Sequence, residues 1–102
     1  MRMYNPPHPG EVLKGLYLDE LGLSITDAAT ALGMTRAALS EIIHGKRGIT
    51  PKTAIKLATA FGGSAESWLR GQMKYDLWQA EQIYGGEDVK KLVEQRPDAS
   101  LK

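Results

Sequence analysis

Residues 24–44, SITDAATALGMTRAALSEIIH, constrain the fold more tightly than any other stretch, because two short helices must meet there at a three-residue turn. Ser24 is a favoured N-cap, with Asp27 three residues on, close to a capping box for a helix opening at Ile25. Ala28, Ala29 and Leu32 recur at helical spacing and are small enough for a second helix to press close. Gly33 stands where a helix ends by swinging one residue into the left-handed region, and Met34 can plug the junction. Thr35 caps a second helix with Leu39, Ile42 and Ile43 inside and Arg36, Ala37, Ser40, Glu41 and His44 outside. Gly45 ends it, and Lys46 and Arg47 follow at once.

Helix, glycine turn, helix is the helix-turn-helix arrangement, whose second helix enters the DNA major groove. Alanine at Ala29 lets the two helices cross closely, and Ala37 and Ala38 keep the outer rim low enough for base edges to approach. An αα-hairpin inside an ordinary bundle would explain the apolar spacing, but not Arg36 in the first turn or the basic pair past the last. Charge distribution agrees. Residues 1–75 hold nine Lys/Arg against six Asp/Glu, and residues 76–102 hold four against six. Within 35–56, Arg36, Lys46, Arg47, Lys52 and Lys56 face Glu41 alone, so positive charge gathers where phosphates would lie. A basic middle beside an acidic end suits two different partners.

Around this pair the sequence predicts three more helices. Pro6 and Pro7 keep the opening extended, and Pro9 suits the first position of a helix with Glu11 in its first turn. That helix is expected to bury Val12, Leu13, Leu16, Tyr17 and Leu21 and to stop at Gly22, with His8 in its cap region. Thr50 and Pro51 start another, with Ile55, Leu57, Ala58 and Phe61 inside and Gly62-Gly63 at its end. Lys52 and Lys56 on its other side are either solvated or in reach of phosphate.

Ser64 caps the last helix, in which Leu69, Met73, Leu77 and Ala80 form a ladder ringed by Trp68, Tyr75, Trp78 and Tyr84. That is more apolar surface than one core face needs. Trp68 is expected to complete the core, while Met73, Leu77 and Trp78 are expected to form a homodimer interface, since such proteins read paired half-sites. The expected architecture is all-α, with five helices in a domain at 1–84 and a short tail at 85–102 that turns once through Val89, Leu92 and Val93 before fraying.

The composition excludes several classes. Without cysteine there is no disulfide framework or thiolate metal site, and the two histidines are isolated, so no metal or cofactor is expected. No nucleophile–base set can be assembled, so the chain is not expected to be an enzyme. No leader and no apolar run of membrane-spanning length is visible, which makes the cytoplasm the expected location.

Residues 24–61 resemble the lambda-repressor-like, XRE-type helix-turn-helix domains. The wider frame resembles the HigA or VapI-type antitoxins among them, through NPPHPGE at 5–11, GKRGITPKTAIKLATAFG at 45–62 and ESWLRGQMKYDLWQAE at 66–81. The resemblance implies a homodimer that binds palindromic double-stranded operator DNA, represses its own operon and neutralises a small ribonuclease toxin encoded beside it. By position, it places Thr35, Arg36 and Ala37 at the start of the recognition helix, with Ser40 and Glu41 on its exposed face. Arg36 is then the base reader, bidentate to a guanine, and Ala37 meets a thymine methyl. Thr35, Ser40, Lys46 and Arg47 clamp phosphates. Glu41 accepts from a cytosine amino group, is repelled by the nearby phosphates, or is held by Arg36. With one long cationic donor on this face, part of the specificity is expected from DNA shape. A free-standing repressor of the same fold, of XRE or phage type and without a toxin, is the alternative.

Overall fold

Each helix begins where a side chain accepts a backbone N–H. The computed structural model describes residues 5–93, and the remaining part of the expected tail, 94–102, lies outside the described residues. Helix α1 runs in three consecutive pieces, α-helical over Pro9–Val12, π-helical over Leu13–Leu18 and α-helical over Asp19–Leu21. Then come α2 (Ile25–Leu32), α3 (Arg36–Ile43), α4 (Pro51–Phe61) and α5 (Ala65–Ile83). His8 caps α1 through Nδ1, and Ser24, Thr35, Thr50 and Ser64 cap the other four through their hydroxyls. The described residues contain five helices and no strand.

The core is Leu13 and Leu18 from α1, Ala28, Ala29 and Leu32 from α2, Leu39, Ile42 and Ile43 from α3, Ile49, Ala54 and Leu57, and Trp68 from α5. The inner faces of α2 and α3 are those read from the sequence. Two expectations fail by one register. Leu16 and Leu21 are exposed, because the π segment passes the buried position from Leu13 to Leu18, five residues on, with the Asp19 N–H reaching back to the Lys14 carbonyl. Ile55 is exposed too. The buried stripe of α4 is Ala54, Leu57, Ala58 and Phe61, which recur at helical spacing and leave Ile55 one position outside it.

Helix α5 is buried over its first two turns, and Tyr75 in the next turn still meets His8. Trp68 and Gln72 are its buried residues, and Tyr17 of α1 joins Trp68 and Phe61 in an aromatic cluster at 5.6 and 5.2 Å. Beyond Gln72 the helix is half-buried at most, in a molecule 53 Å long and 22 Å thick. Past α5, Tyr84 bonds Asp88 and the Val89 N–H meets the Gly86 carbonyl, closing a turn that leaves Val89, Leu92 and Val93 exposed.

His8 is a structural residue of the α1 cap. Only 3% exposed, it accepts the Gly10 N–H at 2.9 Å and lies edge-on to Tyr75 at 4.8 Å. Burial lowers its pKa, against the pull of Asp76 and Glu11 in the other direction. The folded state therefore binds the proton more weakly than the unfolded chain, whose imidazole titrates near 6.5. Stability is full above that pH and declines as pH falls through it, since a protonated ring can no longer accept the Gly10 N–H. Thermal melts between pH 7.5 and 5 check this, as ~2.5 units span the ordinary histidine range. The wild type should lose Tm on acidification, and His8→Asn, which keeps a capping acceptor, should lose less.

Candidate nucleic-acid interface

The recognition surface is built by local chemistry first. The Met34 N–H reaches the Ala29 carbonyl at 2.9 Å and Gly33 takes φ +68°, which turns the chain in three residues. Thr35 is extended, at φ −74° and ψ 153°, and its Oγ1 accepts the Ala38 N–H at 3.0 Å. Helix α3 thus starts at Arg36 with its first turn in solvent: Thr35, Arg36 and Ala37 are exposed, and Ser40 and Glu41 are half-buried. Met34 packs against the core at the junction, as expected.

Tertiary contacts then fix where that helix points. Gly10 of α1 lies against the α3 backbone so closely that a Cβ there would stand 1.9 Å from the Ile42 carbonyl oxygen. Lys56 of α4 donates to the Gly33 carbonyl at 3.0 Å, so it braces the turn from below. Lys56 thus has a partner within the chain, while Lys52 is exposed.

The basic segment after α3 is tied to Glu41. Its main-chain carbonyl accepts from Lys46 and Arg47, at 2.8 and 3.2 Å, and its carboxylate pairs with Arg47 at 2.6 Å. Glu41 is therefore held by Arg47, not by Arg36. Both partners are about half exposed, so the pair adds under about 1 kcal/mol, and its effect is to shape the loop. His44 Nδ1 lies 2.8 Å from the Ser40 carbonyl and folds over the helix end beside the Ser40 hydroxyl. Arg36, Lys46 and Lys52 make no ion pair among the described residues; Arg36 opens α3, Lys46 follows its end and Lys52 lies in the first turn of α4.

The expected dimer residues lie on the outer part of α5. Met73 is 53% and Leu77 39% exposed, and with Leu69, Gln72 and Asp76 they line an open groove. Trp78 is half-buried, and its indole Nε1 is shielded from solvent without a hydrogen-bond partner. Tyr75, part of the apparent aromatic surplus, is used within the chain against His8. Sequence reasoning passed over Gly10 and Gln72. Gln72 had a legible signal, a lone polar residue one helical turn past the buried Trp68.

A solvent-facing second helix, capped at its first turn and flanked by unpaired cations, defines a helix-turn-helix DNA-binding protein, a class without enzymatic activity. The helix-turn-helix family model matches residues 16–68. Virulence-associated protein A' of Dichelobacter nodosus is 62% identical over 79 residues, spanning 76% of this chain and 68% of that protein. The solved antitoxin GraA superposes with a TM-score of 0.83 at 32% identity, over 88% of this chain and all of that one. The Pseudomonas aeruginosa antitoxin HigA, solved with the higBA promoter, superposes with a TM-score of 0.76 at 32% identity, over 86% of this chain and 98% of that one. The chain belongs to the XRE-type, lambda-repressor-like helix-turn-helix family, in its HigA/VapI-type antitoxin branch. No helix among the described residues is long and apolar enough to cross a membrane.

Proposed function

We propose that this protein is the antitoxin of a type II toxin–antitoxin pair. It represses its own operon as a homodimer on palindromic double-stranded DNA, and it neutralises a small ribonuclease toxin encoded beside it in the cytoplasm. The observation that carries the DNA half is the solvent-facing start of α3, with Arg36 at its first position and Lys46 just past its end. Arg36 reads a guanine edge, Ala37 lies against a thymine methyl, and Thr35, Ser40, Lys46 and Arg47 hold phosphates. The Glu41–Arg47 pair supports a framing role for Glu41, holding a phosphate-contacting arginine at the groove edge rather than reading a base itself. All of these residues fall within 1–84.

The homodimer forms through Met73 and Leu77, with Trp78 beside them, since a soluble domain of this size has no internal use for an exposed apolar row. Met73 and Leu77 are the cleaner probes, because Trp78 is half-buried in its own chain. Met73→Glu with Leu77→Glu should give a folded monomer by light scattering; a dimer that survives both charges places the interface elsewhere.

The toxin half is tested by expressing the adjacent small open reading frame alone, then together with this chain carrying a tag. Growth arrest by the neighbour, rescue by this chain and a co-purifying complex are the expected results. A harmless neighbour with nothing co-purifying, while the chain still binds its upstream DNA, would make it a free-standing repressor.

A further inference from the structure

The loop that carries Lys46 and Arg47 is held at two ends by different helices. Glu41 of α3 holds its start through two main-chain bonds and an ion pair. Its far end is held by Gln72 of α5. That side chain is 7% exposed, and its Oε1 accepts the Ile49 N–H at 2.8 Å, across 23 residues of sequence. Its other end, Nε2, donates to Asp76 Oδ1 at 2.9 Å. Gly48 makes room for the amide: a Cβ there would stand 3.2 Å from Gln72 Cδ and Nε2.

We infer that Gln72, oriented by Asp76, is a positioning residue for the phosphate-contacting loop, and that it makes DNA affinity depend on α5. A carboxamide has an acceptor end and a donor end, and the Ile49 N–H can use only the acceptor. An ionised carboxylate accepts only, so Asp76 draws the NH2 end to itself and leaves Oε1 facing the loop. Asp76 is exposed, and both it and Gln72 line the groove with Met73 and Leu77. Whatever covers that groove also covers the carboxylate that sets the amide. Surroundings of lower dielectric strengthen the Gln72–Asp76 bond and with it the hold on Ile49. One side of the hub is thus the outer face of α5, and the other is the loop of Lys46 and Arg47.

The inference rests on the reading of Lys46 and Arg47 as DNA contacts, and the test separates the two. Binding of the full chain to its own upstream DNA is followed by fluorescence anisotropy over a salt series, with circular dichroism and light scattering on each variant. Gln72→Met should weaken binding roughly 10-fold and make the salt dependence shallower by about one to two units of slope, as phosphate contacts lose their register. Gln72→Glu keeps the volume, so it serves where the methionine variant does not fold. It sets two carboxylates against each other and should weaken binding similarly. Adding Asp76→Asn to Gln72→Glu reverses the polarity of the pair, removes the repulsion that displaces the acceptor from Ile49 and should bring affinity and slope back to within about threefold of wild type. A purely packing role would show the same losses without that rescue. Steep wild-type binding with both single variants unaffected, or with no rescue, overturns the inference alone. Absent or salt-independent binding by the wild type removes the DNA reading and this inference with it.

Discussion

Gly10→Ala should destabilise the fold by about 3 kcal/mol or more, the upper end of what overpacking costs, because neither side of the contact can yield easily. The added Cβ would stand 1.9 Å from the Ile42 carbonyl oxygen, 2.7 Å from its carbon and 2.8 Å from the Ile43 Cα. All three are backbone of α3, so relief requires the whole of α1 or α3 to move. At about 4–8 °C per kcal/mol for a domain of this size, Tm should fall by roughly 12 °C or more. Operator binding should fall as well, since α3 is the element displaced. Gly15→Ala is the control within the same helix. A Cβ there meets nothing within 4 Å, so the change should be neutral or stabilising by up to about 1 kcal/mol. Equal melting temperatures for wild type and Gly10→Ala would mean that the α1–α3 crossing is looser than described.

Neutralising the loop, as Lys46→Gln with Arg47→Gln, should flatten the plot of log affinity against log salt by about two units of slope. Each cation that meets a phosphate releases about one counterion on binding, so the slope counts contacts rather than overall charge. Lys46 is exposed and free for this role, whereas Arg47 must share its guanidinium with Glu41. Five N–H donors in a planar fork allow it to hold a carboxylate and a phosphate together. A loss of about one unit would assign the contact to Lys46 and leave Arg47 to Glu41. An unchanged slope would place both side chains outside the phosphate path.

Parts of the fold that depend on neighbouring residues were legible in the sequence. Ser24, Thr35, Thr50 and Ser64 cap the helices they were expected to cap, because the acceptor and the N–H it meets are three residues apart. Gly22 and Gly33 take left-handed φ where α1 and α2 stop, and Leu39, Ile42 and Ile43 are buried because their spacing leaves one apolar face. What escaped was set by distant contacts. A π segment is a register shift invisible to a 3.6-residue template, so Leu16 and Leu21 were assigned inward. Ile55 outranks Ala54 in hydrophobicity, but the buried stripe runs through Ala54, Leu57, Ala58 and Phe61 and leaves Ile55 in solvent. The sequence pairs Glu41 with Arg36, five residues earlier on the same helix, whereas the loop brings Arg47 back to it. The roles of Gly10 and Gln72 exist only once α3, its loop and α5 have met.

The central claim is that α3 reads DNA sequence, and competition binding of wild type and Arg36→Ala tests it most directly. Both are titrated onto the chain's own upstream DNA, then onto a scrambled duplex of equal length and composition, at one fixed salt concentration. Loss of a bidentate guanine contact should remove about 1–3 kcal/mol of preference for the upstream DNA while leaving binding to scrambled DNA nearly unchanged. The same preference in both proteins would contradict the account, and base reading would then have to be sought elsewhere on the molecule.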